Sequence, residues 1–452
     1  MQAAARPRPA AVPPRGSGPL RVALYLLVAV FALLLLVWVR PHTDDGLIHQ
    51  LGKNCALVAF VVLCLQAVLA ARAKWIERPF GLDMVFRFHK AAGVVALALL
   101  AAHVTLVALG SHDWRLLTAF EVRWPVWVGR LALLALAANV VASLWRVKLR
   151  LEFQAWRRWH NLLAVAIIAF GFVHSVVLGG DLQSRALRAY WVAALGTAAA
   201  IHHWHKVLRP RSLRRRPYTV TAVRGEGPRI WTVELAPPAG ESAFPYAPGQ
   251  FHYVTFRRGR GLPVEEHHWT ISSTPTRPGV GSTIKEVGDF TSTIGQTRVG
   301  DRADVDGAYG RFSYLFHPEE DDLVFVSGGI GVTPFLAMLR HMHDTGARKS
   351  VLLLWGNRAE QDLFAREELD EIAASGRPQL RVVHFLTHAS EHWRGERGRI
   401  GEEVLARYLA PPARGTRGAY VCCPPPMARE IIRALGKLGV PAAHVHHEGF
   451  AL

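Results

Sequence analysis

The chain has 452 residues but only four cysteines, Cys55, Cys64, Cys422 and Cys423. Cys55 and Cys64 lie in an apolar run and read as packing residues. That leaves no four-cysteine set for an iron–sulfur cluster and no disulfide frame. Acidic residues are also few, 35 against 53 Lys and Arg, for a net charge of +18. In a soluble protein such an excess suggests nucleic acid. Here the basic residues cluster between apolar runs and in "RPRSLRRRP", where membrane orientation explains them, and no nucleic-acid role is expected. Residues 1–19 are rich in Ala, Pro and Arg and are expected to be disordered. The apolar run after them ends in "VWVRPHT" and not in a small-residue cleavage site, so it reads as a retained helix. No internal repeat is evident.

Half the chain is hydrophobic, and unevenly so. Six runs at 20–39, 51–71, 88–110, 126–145, 158–180 and 188–207 have the length that spans a bilayer. Basic residues fill alternate connections. They are Arg6, Arg8, Arg15 and Arg21, then Arg72, Lys74, Arg78 and Arg87, then Arg146 to Arg158, and finally Lys206 to Arg216. The intervening loops are poorer, which predicts cytoplasmic termini and a cytoplasmic second half in a multi-pass protein of the cell membrane.

Two of these runs carry histidines at one matched spacing. "RFHKAAGVVALALLAAHV" holds His89 and His103, and "WHNLLAVAIIAFGFVHSV" holds His160 and His174, each pair fourteen residues apart. Fourteen helical residues rise ~21 Å and return to nearly the same face. The third and fifth runs cross in the same direction, so His89 is level with His160 and His103 with His174. An imidazole in hydrocarbon needs a partner. Two facing imidazoles suit the two axial positions of a haem iron, whereas zinc would be left half-coordinated. Two b-type haems, one towards each leaflet, are therefore expected. Lys53 and Arg130 lie near the outer level, where they are open to haem propionates or to snorkelling. His202, His203 and His205 end the sixth run and read as interface residues or neighbours of a flavin. His42, His49 and His112 fall on the outer side.

From Tyr218 to about Phe316, short alternating strands such as "YTVTAV" and "FHYVTF" predict a small β-barrel. From about Asp321, apolar strands alternate with helical stretches, as in a doubly wound α/β domain. "LVFVSGGIGVTPFLAML" is a strand, a glycine turn and a helix start. Gly329, Gly331, Thr333 and Pro334 form a variant phosphate-binding turn whose backbone amides reach a pyrophosphate. At the end of the next strand, "WGNR" places Arg358 where a 2′-phosphate calls for a cation, favouring NADPH over NADH.

"HHWTISSTP" after "APGQFHYVTF" and before "GDFTSTI" resembles the FAD-binding domain of the ferredoxin–NADP reductase superfamily. That resemblance implies that His267, Trp269, Thr270, Ser272 and Ser273 meet the flavin. It also implies that Gly288 and Thr291 open a short helix holding its pyrophosphate. "GGIGVTPF" and "YVCCPPPM" resemble the superfamily's nicotinamide half. There Cys422 lies beside the nicotinamide, Cys423 replaces the usual glycine, and Phe450 takes the place of a terminal aromatic that shields the flavin.

Together the four histidines and the motif succession "HHWTISS", "GDFT", "GAYG", "GIGVTPF" resemble the ferric reductase / NADPH oxidase family. The implied architecture is a six-helix transmembrane bundle (20–208), a basic linker (209–217), an FAD barrel (218–318) and an NAD(P)-binding α/β domain (319–452). The implied activity carries electrons from cytoplasmic NAD(P)H through FAD and two bis-histidine haems to dioxygen or a ferric chelate outside. No calcium-binding loop or long extra N-terminal domain is read, and no protein partner is required. Two other readings stay open: an electron-donating subunit for an extracytoplasmic redox partner, and a membrane-anchored NAD(P)H:flavin diaphorase. A haem-binding sensor with a passive cytoplasmic module is disfavoured by the joint presence of both nucleotide motifs.

Overall fold

A computed structural model describes residues 17–39, 46–409 and 415–449. The expected disorder of residues 1–16, the outer-side His42 and the terminal Phe450 lie outside the described residues. Helix already begins at Ser17, inside the stretch 1–19 expected to be unstructured. The chain divides into two compact units between Arg209 and Pro210.

The first unit is helical: α1 (Ser17–Val39), α2 (Leu47–Ala70), α3 (Lys74–Phe80), α4 (Leu82–Gly110), α5 (Arg115–Thr118), α6 (Trp124–Leu144), α7 (Phe153–Leu178) and α8 (Arg185–His203). Among the described residues, α1, α2, α4, α6 and α7 are long and apolar enough to cross a membrane. Helix α8 fills the sixth expected span but is not in that set, because Arg185, Arg188 and two terminal histidines dilute its apolar content. It runs through a π turn (Trp204–Leu208) into α9 (Arg209–Arg215), so most of the stretch 209–217 is helix.

Local chemistry sets the helix starts. Gly81, at φ +81°, joins α3 to α4 in a conformation that a side chain would strain. Glu152 caps α7 by accepting from the amides of Gln154 and Ala155, both at 2.7 Å, satisfying two orphan donors. That cap fixes where α7 begins, two turns before His160. Inside the bundle, Trp191 of α8 stacks on Phe60 of α2 at 4.4 Å and donates from Nε1 to Ser175 Oγ of α7 at 2.8 Å. Leu24, Leu34, Leu134 and Leu162 stay exposed, as lipid contact allows.

The second unit holds two sheets. Strands β1 (Tyr218–Gly227), β2 (Ile230–Ala236), β3 (Phe251–Arg257), β4 (Glu266–Thr270), β5 (Val280–Lys285) and β6 (Arg302–Tyr309) pair antiparallel in the order β4-β3-β6-β1-β2-β5. They curl into a barrel around Val220, Val233, Val254, Ile271 and Val305. Strands β7 (Glu320–Gly328), β8 (Ser350–Asn357), β9 (Gln379–Leu386), β10 (Glu396–Arg397), β11 (Thr416–Cys422) and β12 (Val445–His447) form a parallel sheet in the order β10-β9-β8-β7-β11-β12.

Both faces of the parallel sheet are covered. Leu323 and Phe325 of β7 pack with α10 (Thr333–Thr345) and α11 (Arg366–Ala374), while Val324 and Val326 pack with α12 (Glu402–Tyr408) and α13 (Pro425–Lys437). Alternate side chains of one strand thus enter two cores, which is why the strand is a near-continuous apolar run. Strand order reverses between β7 and β11. A crevice at such a switch point is where doubly wound sheets bind ligands.

Candidate functional site

Helices α4 and α7 bring their histidines together in register. The His89 and His160 rings have centroids 6.1 Å apart, and those of His103 and His174 are 6.4 Å apart. A metal–imidazole bond of about 2 Å plus about 1 Å to the ring centre, on each side of one ion, gives about 6 Å. Both pairs match that span. The ring planes are inclined at 64° and 79°, in edge-to-face arrangement.

On three of the four rings the other nitrogen is tied down. His103 Nδ1 donates to the Gly52 carbonyl at 3.0 Å, and His174 Nδ1 to the Pro125 carbonyl at 2.8 Å. His160 Nδ1 donates to Asn139 Oδ1 at 2.9 Å, with Ser143 Oγ at 3.3 Å. The Nδ1 of His89 is buried without a hydrogen bond and has the backbone of Gln66 beside it. With Nδ1–H held, Nε2 is the free electron pair, the arrangement that orients an imidazole as a metal ligand. The residues therefore fit two bis-histidine haems.

Two glycines permit this packing. A Cβ at Gly129 of α6 would lie 2.5 Å from His174 Nδ1, and one at Gly52 of α2 would lie 3.0 Å from α4. Sequence reading passed over Gly52, Gly129, Asn139 and Ser143. Asn139 alone carried a signal, being a polar side chain in a membrane-length apolar run.

Arg130 is already engaged. Its Nε donates to the Leu116 carbonyl, its Nη1 to Ala119, and its Nη2 to Arg115 and Leu116, at 2.6–3.1 Å. Trp127 Nε1 also donates to the Phe120 carbonyl at 3.2 Å. The guanidinium thereby straps the connection between α4 and α6 through the carbonyls of Arg115, Leu116 and Ala119.

In the barrel, Trp269 of β4 pairs with His252 of β3. His267, Trp269 and Phe290 form a triangular cluster, with His267 on Phe290 at 4.1 Å and Trp269 5.6 Å from His267 and 6.1 Å from Phe290. Thr270 is buried. Ser272 Oγ donates to the Gly281 carbonyl, and Ser273 Oγ bonds Tyr246 and accepts from the Gly281 amide. Thr291 Oγ1 accepts from the amides of Val287 and Gly288 at 2.8 and 2.9 Å, closing the loop that opens the 3₁₀ turn Thr291–Gln296. Arg258, not singled out from sequence, is buried against that turn. It donates to the Thr293 carbonyl and hydroxyl and lies over Phe290 at 5.1 Å. Burial depresses its guanidinium below the usual value. A buried cation here suits a flavin phosphate.

At the switch point, Gly329 has φ +56°, and a Cβ at Gly331 would lie 2.2 Å from the Cys422 carbonyl oxygen. Backbone therefore meets backbone between β7 and β11, leaving amides at the N-terminus of α10 for a phosphate. Thr333 Oγ1 donates to the Ile330 carbonyl, and Trp355 Nε1 to the Gly329 carbonyl, fixing the turn. Cys422 is buried, and burial with nearby Glu448 pushes its thiol up. Burial also pushes Cys423 up to about 12, so neither is a thiolate. Arg358 is exposed just beyond β8, its carbonyl accepting from the His388 amide at 2.7 Å.

Residues 55–171 match the ferric reductase like transmembrane component, and residues 325–432 match the oxidoreductase NAD-binding domain. The chain is 31 % identical over 188 residues to a nitrate reductase [NADPH] of Emericella nidulans, covering 39 % of this chain and 20 % of that protein. It is 32 % identical over 155 residues to NADH-cytochrome b5 reductase 1 of Mycosarcoma maydis, covering 34 % and 47 %. The chain thus spans less than half the length of either relative. The FAD/NAD-binding domain of a nitric oxide dioxygenase from Vibrio cholerae aligns with 52 % of this chain and 98 % of its own, at 20 % identity and a TM-score of 0.46.

Proposed function

From a multi-pass membrane chain with the architecture of the ferric reductase and NADPH oxidase family, we propose a transmembrane NAD(P)H oxidoreductase that delivers electrons to an acceptor on the outer face. The finer elements of the proposal are NADPH as donor, FAD in the barrel, two b haems in the bundle and a plasma-membrane location with cytoplasmic termini. When bound, the flavin accepts a hydride and the haem irons take electrons singly.

The protein's part is to hold and orient. His89 with His160, and His103 with His174, would hold one haem iron per level. The Nδ1 partners of His103, His160 and His174 keep those three rings in place. Arg258 and the Val287–Thr291 loop would receive the flavin phosphates, Trp269 would pack on its ring, and His267 would meet its phosphate or ribityl chain. Gly331 would admit the nicotinamide nucleotide to the switch point, and Arg358 would supply the cation for a 2′-phosphate. Dioxygen and ferric chelates are the acceptors proposed.

The observation that carries this reading is the pair of imidazole couples, both at a one-metal span and with Nδ1 engaged on three of four rings. The test is an anaerobic visible spectrum of the haem-supplied, detergent-purified protein before and after NADPH. Reduced b-type bands on NADPH addition support the reading, and admitting oxygen or a ferric chelate then names the acceptor. Flavin bleaching with haem left oxidised, or protein without haem, refutes it.

A further inference from the structure

In the second unit, a buried carboxylate gathers three histidines around it. Glu320 opens β7 and is fully buried. Its Oε1 accepts from His444 Nδ1 at 2.9 Å and from His446 Nε2 at 2.7 Å. Its Oε2 accepts from the Tyr420 hydroxyl at 2.7 Å. The His317 ring lies on that of His446 with centroids 3.8 Å apart. Ligand atoms of His317, Glu320 and His446 all lie within 4.8 Å of one another.

The geometry points to a binding site for a divalent first-row transition ion, held by Glu320, His446 and His317, with His444 supporting the carboxylate through its hydrogen bond. The donor set is two imidazoles and one carboxylate with the fourth position left to water, a combination that suits zinc and its neighbours. A buried carboxylate needs hydrogen-bond donors, but it does not need a third imidazole stacked on the second.

The fold supports the site in two ways. A Cβ at Gly418 would lie 2.1 Å from Glu320 Oε2, so the carboxylate has room only because residue 418 lacks a side chain. Tyr420 then occupies Oε2 and leaves Oε1 facing the imidazoles, as the outer partner of a metal-binding carboxylate does. The His317, His444 and His446 side chains keep 22 %, 25 % and 14 % exposure, which gives an ion a way in.

Ligand atoms around a tetrahedral ion stand about 3.3 Å apart, given bonds of about 2.0 Å. The His446–Glu320 hydrogen bond must therefore open by about half an ångström as the ion enters. Each ligand imidazole then turns a lone pair towards the metal, its proton moving to the other ring nitrogen. Little resists this. Strand β12, which carries His446, has three residues and pairs only with β11. The ion ties that edge strand to the start of β7 and fixes the residues that follow, where the Glu448 amide donates to the Val421 carbonyl beside Cys422.

The test uses full-length, haem- and flavin-loaded protein purified without a histidine tag and stripped with a chelator. Zinc is titrated against a chromophoric chelator of about micromolar affinity, and retained zinc is counted after desalting. The expected result is one tightly held zinc per chain. His446→Gln and His317→Ala should weaken it at least about tenfold, and exposed His392→Ala should leave it unchanged. His446→Cys should keep zinc binding, because a thiolate is also a zinc ligand. That variant decides the matter if His446→Gln loses flavin. No retained zinc in the parent protein overturns the proposal, as does equal affinity in parent and cluster variants. The count does not depend on whether NADPH reduces haem, so its failure leaves the electron path untouched.

Discussion

Asn139→Leu removes the side-chain acceptor from His160 and leaves the other three rings as they are. A hydrogen bond between helices in a bilayer is worth about 0.6 kcal/mol on average and at most about 1.7 kcal/mol. The bond makes the imidazole a stronger electron donor, which favours the oxidised iron. Losing it should raise the potential of the haem at the His89–His160 level. For one electron 1.4 kcal/mol is about 59 mV, so the window is about 25 to 70 mV. Ser143 Oγ, at 3.3 Å from His160 Nδ1, remains to accept, which places the shift in the lower half of that window. An anaerobic potentiometric titration of the visible haem bands reads it, with the His103–His174 haem as internal reference. Two potentials equal to the parent's at unchanged haem content would refute the reasoning, as would equal shifts in both.

Gly331→Ala puts a Cβ 2.2 Å from a backbone carbonyl that cannot yield, and should abolish flavin reduction by NADPH while dithionite still reduces the haem. Normal stopped-flow bleaching would remove Gly331 from the site. Arg358→Ala should raise the KM for NADPH about tenfold or more and spare that for NADH, and parallel steady-state titrations check it. Arg130→Leu removes the strap from the Arg115, Leu116 and Ala119 carbonyls and should speed proteolysis between residues 111 and 123 with haem retained, as limited digestion and mass spectrometry will show. His252, wholly buried in the barrel, is lowered by that burial to about 3. The fold thus holds it neutral. Its contribution is complete above the ordinary imidazole value of about 6.5 and is lost as pH falls toward 3, about 2 kcal/mol by pH 5. His252→Gln should flatten the decline of the flavin-release melting temperature between pH 7 and pH 5, and an unchanged slope would contradict the assignment.

Much of the architecture is written in local periodicity. Membrane-length runs, the fourteen-residue histidine spacing and the strand–glycine–helix pattern at Gly329 each depend on neighbours in sequence. Their placement in the fold needs no long-range information beyond packing. The supports of the site are another matter. Gly52 and Pro125 act through backbone carbonyls, which every residue possesses and no letter marks. Asn139 reaches His160 across 21 positions, and His446 reaches Glu320 across 126. Ser272, Ser273 and Thr291 are legible as hydroxyls in a flavin motif, but the bonds they make to Gly281, Tyr246, Val287 and Gly288 depend on the folded barrel and loop and not on the motif. The dilution of α8 was visible in its arginines but was outweighed by its length.

The anchoring of the imidazoles bears on how such a protein drifts over generations. His103 and His174 hang from main-chain oxygens, which no point substitution can delete. His160 hangs from a side chain, which a single base change can exchange. Inherited variation can therefore retune the His89–His160 level in small steps, while the His103–His174 level stays at its setting unless a helix moves.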